Sequence, residues 1–276
     1  MEHNSVKGGS KMTIAKYVIS TIFILTVLVS AASAAETRIT TNTASQTNPS
    51  IWSNYIVWQD ARNGGSDIYL QNIATKVQTR ITKGVAAENP VVSGNRILWQ
   101  DYRNGNWDIY MYEISSKKTT RLTTNTADQT APGAYGNNIV WTDTRNGGSS
   151  IYLQNLATKV QTRVSTDGYS PSIYGNKMVW ITQNHDGVVF VMLYDITTKK
   201  ISPLRVDVEP YSVSIYGNRV LWNDMYTGMF TGMYDFSTGK YIALPFQFVS
   251  NPAFYSNKIV YDDQRNGNDD IYMAQI

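Results

Sequence analysis

No cysteine occurs in the 276 residues, so no disulfide can hold this chain together, and a domain of its size must rely on its core. Histidine is nearly absent as well: His3 lies in the N-terminal segment, which leaves His185 for the body of the chain. That scarcity argues against transition-metal chemistry, and a Ser-His-Asp hydrolase would depend on His185 with no nucleophile-elbow motif to accompany it. An excess of one charge is also missing. The formal net charge is +3, and removal of Lys7, Lys11 and Lys16 against Glu2 in the N-terminal segment leaves 21 basic and 20 acidic residues, a balance of +1. This offers no basic footprint for nucleic acid. No Pro/Ser-rich or charge-rich linker divides the remainder, which is expected to be one domain.

The one long apolar run lies at the start. Three lysines precede the uncharged, largely apolar stretch Tyr17 to Ala32, and Ala32-Ser33-Ala34 fits a small-residue cleavage site. Residues 1–35 are therefore expected to be a signal peptide, with 36–276 as the exported domain, secreted or held at the cell surface. The alternative is an uncleaved N-terminal anchor, for which the run is a little short. Met1 and Met12 are both open as the start, because the segment from Met12 is already a complete signal. Contact with a membrane is expected only through this segment.

What the chain has in abundance is repetition. The stretch Ile-Val-Trp-Gln-Asp-Ala-Arg-Asn-Gly at Ile56 to Gly64 returns with variations, placing Trp58, Trp99, Trp141, Trp180, Trp222 and Tyr261 at steps of 41, 42, 39, 42 and 39 residues. That period suits four-stranded propeller blades and is too long for leucine-rich or ankyrin units. Each copy carries four short apolar stretches between turn residues; in the first they are Pro49 to Trp52, Tyr55 to Gln59, Asp67 to Asn72 and Gln78 to Thr82. Asn-containing tight turns such as Ser53-Asn54 and Gly94-Asn95 join the first two strands, and Arg-Asn-Gly marks the second hairpin at Arg62, Arg103, Arg145 and Arg265. The chain opens with a lone fourth-strand motif, Thr37 to Thr40, and stops after a third strand, Asp270 to Ile276. The predicted fold is all-β: a six-bladed propeller of four-stranded antiparallel blades, its ring closed by the N-terminal strand pairing with the last blade.

Pro-Ser-Ile-Tyr-Gly-Asn-Lys at Pro171 to Lys177, and the Val-Trp-x-Asp-x-Arg-Asn-Gly element of the regular copies, as at Val140 to Gly147, resemble the TolB-type propeller repeat, particularly that of archaeal cell-surface and surface-layer-associated proteins. The resemblance spans Thr37 to Ile276 and implies a binding platform more than an activity, since the motif is blade skeleton. Blades four and five depart from it: Thr182 replaces the Asp, and Asn184 and Tyr226 replace the Arg.

The second-to-third hairpins and the blade-to-blade connections must emerge on one face, and binding residues are expected among those loops. A polar rim there comprises Asp60, Arg62, Asp101, Arg103, Asp143, Arg145, Asp224, Asp263 and Arg265; its regularity favours turn capping and local ion pairing over ligand binding. Candidate partner contacts are the residues that break the repeat: Trp107, where other hairpins have Ser66 and Ser149, and the apolar group Met225, Tyr226, Met229, Phe230, Phe246 and Phe248. The expected function is a non-catalytic binding or scaffold module for protein or glycan of the cell envelope, with no cofactor. The alternative is a carbohydrate-active enzyme, a glycoside hydrolase or lyase, drawing its acids from Asp224, Asp262 and Asp263. Against it, the stretches read as innermost strands, such as Val91-Val92-Ser93, contain no acid. Calcium is a further reading of the Asp60 to Asp67 and Asp101 to Asp108 spacing, although Ser150 breaks it in blade three and the twelve-residue calcium loop is not matched.

Overall fold

A computed structural model describes residues 36–204, 210–224, 231–242, 244 and 250–276. The described strands form six four-stranded sheets, each antiparallel and each in sequence order except the last. Blade one runs outward through Gln46–Trp52, Tyr55–Asp60, Asp67–Asn72 and Gln78–Arg80. The innermost strands of blades two to six are Ala87–Ser93, Gln129–Tyr135, Tyr169–Tyr174, Pro210–Tyr216 and Ser250–Tyr255. Each packs beside the next, and that of blade six packs beside blade one, which closes the circle.

Strand alternation explains why the blades must stack. In Tyr55–Asp60, Ile56 and Trp58 point toward blade six, where they meet Val260 and Ile271, while Val57 points toward Ala87, Val92, Ile97 and Trp99 of blade two. Every blade is thus apolar on both faces, and its core exists only between neighbours. Complete burial of side chains of this size is worth about 1.5–3 kcal/mol each, which gives the inter-blade layers the stabilising role that disulfides would otherwise take.

The closing strand is Glu36–Arg38, paired with Asp270–Gln275 so that Glu36 faces Ala274 and Arg38 faces Tyr272. The Thr-Arg-Ile-Thr motif does the same work here as within blade one. Arg38 Nη2 donates to Asp270 at 2.6 Å, and the Ile271 amide donates to the Thr40 hydroxyl at 2.8 Å. In blade one, Arg80 Nη2 donates to Asp67 at 2.6 Å and the Ile68 amide to Thr82 at 2.8 Å.

One expectation is corrected. The innermost strand of blade one begins at Gln46 and not at Pro49, and that of blade two at Ala87 and not at Val91, so residues ahead of the expected strands belong to them. A bulge masks the signal: Thr47 pairs with Gln59 and Ser50 with Val57, with Asn48 at φ 52° and Pro49 inserted between. The same shift puts Glu88 on the innermost strand Ala87–Ser93, where the sequence pattern placed no acid.

Candidate functional site

The polar rim is built by the second hairpin of each regular blade. Asp60 is fully buried and accepts from Trp58 Nε1 at 2.8 Å, from the Arg62 amide at 3.0 Å, and from Arg62 Nε and Nη2 at 2.9 and 2.6 Å. Asp101 and Asp143 hold Trp99 with Arg103, and Trp141 with Arg145, in the same way. Burial raises the pKa of Asp101, but the hydrogen bonds from Arg103 and Trp99 outweigh it and keep the carboxyl below its usual range.

The guanidinium then lies over the next-strand tyrosine, with Arg62 4.5 Å from the Tyr69 ring centre and Tyr69 stacked in turn on Trp58. Asn63 Nδ2 donates to the Tyr69 hydroxyl at 2.8 Å. The distant motif pieces Trp, Asp-x-Arg-Asn and Ile-Tyr are therefore one layered stack, repeated in blades two, three and six.

In blades four and five the stack is broken although the Trp remains. In blade four Met192 stands opposite Trp180 and Thr182 replaces the Asp, which leaves the buried Trp180 Nε1 without an acceptor among the described residues. In blade five Gly232 stands opposite Trp222, so close that a Cβ there would meet the indole at 2.5 Å. The side chain of Asp224 lies outside the described residues, as do Met225, Tyr226, Met229, Phe230, Phe246 and Phe248.

At the closing seam the arrangement is modified. Tyr261 replaces the Trp, and its hydroxyl donates to Glu36 at 2.6 Å; Arg265 donates to Asp263 through Nη2 and to Glu36 through Nη1, each at 2.6 Å. Partial burial raises the pKa of Glu36, but the hydrogen bonds from Arg265 and Tyr261 prevail and hold it below the usual carboxylate range.

Trp107 lies on the blade-two hairpin, its amide bonded to Asp128 at 2.9 Å. Its ring meets Tyr102 edge-on at 5.2 Å, and Tyr102 is 46% exposed. Sequence reading singled out Trp107 and missed Tyr102, although Ala61 and Thr144 hold that position in blades one and three.

A central channel passes between the innermost strands, with a cavity of about 280 Å³. Its loop-face end is set by bulge residues with positive φ, each followed by proline: Asn48, Asn89, Ala131, Ser170 and Asn251. Second-strand side chains latch these bulges. Gln100 accepts from Asn89 Nδ2 and from the Ala131 amide of the next blade, both at 2.9 Å.

In blade six the latch is Asp262, 2% exposed, accepting from the Asn48 amide at 3.0 Å and Asn251 Nδ2 at 3.1 Å. Burial pushes its pKa up to about 6. Glu88, half-buried at the same end, is also raised by burial and accepts from Gln100 Nε2 at 3.3 Å. The opposite end is floored by Trp52, Tyr135, Tyr174, Tyr216 and Tyr255, with neighbouring ring centres as close as 4.4 Å. Burial raises the Tyr174 and Tyr255 hydroxyls above the usual tyrosine range, so both stay uncharged at neutral pH.

The Asp pairs considered for calcium are held by separate cations: Asp60 by Arg62 and Asp67 by Arg80, Asp101 by Arg103 and Asp108 by Arg121. Among the described residues no three His, Cys, Asp or Glu side chains gather in a group able to hold a metal ion.

The geometry defines the class, a six-bladed β-propeller closed by its N-terminal strand. No protein-family model and no curated protein matches the chain. Among solved structures it is similar to a putative TolB from Agrobacterium tumefaciens (TM-score 0.63, 14% identity, 86% of this chain and 92% of that one). It is also similar to an oligogalacturonate lyase in complex with manganese (0.61, 12%, 89% and 94%) and to the calcium-binding protein regucalcin from Agrobacterium tumefaciens (0.60, 11%, 88% and 94%). At these identities the shared property is the fold.

Proposed function

We propose that residues 36–276 are an exported, envelope-associated binding module that recognises protein or glycan through its loop-rich face without catalysis. The observation that carries this reading is the Tyr102–Trp107 pair. It departs from the repeat, it is accessible on the hairpin face, and it places two aromatic rings edge-on at 5.2 Å. Paired aromatics with polar tips are favoured in recognition surfaces because they bring large contact area at small entropic cost. The rim carboxylates Asp60, Asp101, Asp143 and Asp263 are meanwhile spent on their own blades. Export rests on the leader-like segment 1–35, and the archaeal surface-layer setting on the repeat resemblance alone.

The test is to present the domain to a glycan array and, immobilised, to solubilised native envelope. Binding that falls at least tenfold in a Tyr102→Ala/Trp107→Ala double variant with an unchanged melting temperature is the expected result. Binding insensitive to that variant would remove the assignment.

The carbohydrate-active reading is sustained by one specific observation: Glu88 lies on an innermost strand near the channel end and, like Asp262, has a raised pKa suited to proton transfer. Depolymerisation of an envelope polysaccharide, lost in both Glu88→Gln and Asp262→Asn, would establish that reading in place of the first.

A further inference from the structure

The aromatic floor of the channel is one ring short. Five blades end their innermost strand on an aromatic side chain, Trp52, Tyr135, Tyr174, Tyr216 and Tyr255, while blade two ends on Ser93. Trp52 spans the gap: its ring lies 4.9 Å from Tyr255 of blade six on one side and 5.8 Å from Tyr135 of blade three on the other. Outside the missing ring is a recess of about 480 Å³ on the face opposite the hairpins, bordered by Trp52, Ser93, Arg96, Glu113, Tyr135 and Asn137. That volume lies within the roughly 300–1,000 Å³ usual for small-molecule sites.

A pair of opposite charges lies beside it. Arg96 stands opposite Glu113 in the strand register, as Arg219 stands opposite Asp235 in blade five, where the pair approaches to 3.8 Å. In blade two the pair is open. Arg96 reaches across to blade three and donates through Nη1 to the Gly136 carbonyl at 2.7 Å, leaving Nε and Nη2 available. Among the described residues Glu113 accepts from the Ser116 hydroxyl alone, at 2.9 Å. Two unlike charges that could neutralise each other are thus held apart at the border of one recess.

From this geometry we infer a binding site for a single neutral sugar residue, distinct from the loop-face site and independent of it. Sugar hydroxyls both donate and accept, so they need donors and acceptors in one pocket: Arg96 supplies the first, the Glu113 carboxylate the second, and the Asn137 amide both. A pyranose ring also presents an apolar C–H face, for which Trp52 and Tyr135 are the matching walls. An anionic ligand would be repelled by the Glu113 carboxylate and a cationic one by the Arg96 guanidinium, whereas a neutral one is repelled by neither and can hydrogen-bond to both. A side chain needed for one site need not recur in every blade, and Ser93 occurs at this position once.

The test uses residues 36–276 titrated with the methyl glycosides of glucose, galactose, mannose and N-acetylglucosamine, with methyl glucuronide as the charged comparison, followed by ligand NMR and tryptophan fluorescence. Saturable binding of at least one neutral glycoside is expected. Ser93→Tyr, which supplies the sixth ring and fills the recess, should weaken it at least tenfold, and so should Arg96→Ala, a half-exposed position whose loss leaves the strands intact. The Tyr102→Ala/Trp107→Ala variant should bind the glycoside as the parent does. Absence of neutral glycoside binding, tighter binding of the glucuronide, or affinity unchanged in a folded Arg96→Ala variant would each overturn the inference. Loss through Tyr102 and Trp107 instead would assign the sugar to the loop face.

Discussion

Asp101 carries more of its blade than its size suggests, because its two oxygens satisfy the indole of Trp99 and three nitrogens of Arg103. Asp101→Ala should cost roughly 2–4 kcal/mol in urea unfolding, since it strands a buried indole N–H and an arginine whose partner is gone. Blade four bounds that cost from nature's side: Trp180 Nε1 has no acceptor among the described residues, and the sheet still forms. Asp262 behaves in the opposite sense. Its pKa is raised to about 6 from 3.8, so the folded state holds its proton more tightly than the unfolded chain. The associated stability is complete below about pH 3.8 and is lost as pH rises through about 6, where the buried carboxylate must ionise. Asp262→Asn, which can accept the same two hydrogen bonds, should therefore raise the melting temperature at pH 7.5 and leave it nearly unchanged at pH 4. An equal shift at both values would show that burial of the charge is not the cause.

Among elements, the closing strand Glu36–Arg38 has the largest effect for its length. It covers the edge of Asp270–Gln275, and its Arg38 neutralises buried Asp270. A chain starting at Thr41 should melt at lower temperature and self-associate through the bared edge, seen as a concentration-dependent increase in sedimentation rate. Glu36→Gln is a milder probe. Because the Glu36 pKa is lowered, its stabilising contribution is present above the ordinary carboxylate range and fades as pH falls through its folded value. The variant and parent should thus differ at pH 7 and converge in acid. The bulge ahead of each inner-strand proline shows the limit of pattern reading at this scale. The two residues inserted at the bulge shift the alternation, so the first residues of the strands that begin at Gln46, Ala87 and Gln129 read from sequence as loop, and Glu88 was hidden with them.

For the whole molecule, the ring holds because every blade lends both faces to its neighbours and the last sheet is shared between the two ends of the described domain. The shared sheet can be tested apart from the packing. Ala274 lies opposite Glu36, so a short linker can join Ile276 to Glu36, and new ends can be opened at Gly84, an exposed turn between blades one and two. That permutant keeps all six sheets but closes by packing alone. It should fold, with the same far-ultraviolet spectrum, and melt below the parent; equal melting would mean that strand sharing adds nothing beyond a blade interface.

Six copies of one unit, the phase of the ends and the pairing of Asp with Arg in the four Arg-Asn-Gly hairpins could be read from residue order, because strand periodicity and turn chemistry act over a few neighbours. Single-copy features were far less accessible. Tyr102 beside Trp107, Glu88 at the channel end, the raised pKa of Asp262 and the recess left by Ser93 depend on which side chains from separate blades come together. No local pattern encodes that, for desolvation and ring-to-ring contact arise only once residues some 40 positions apart share one axis.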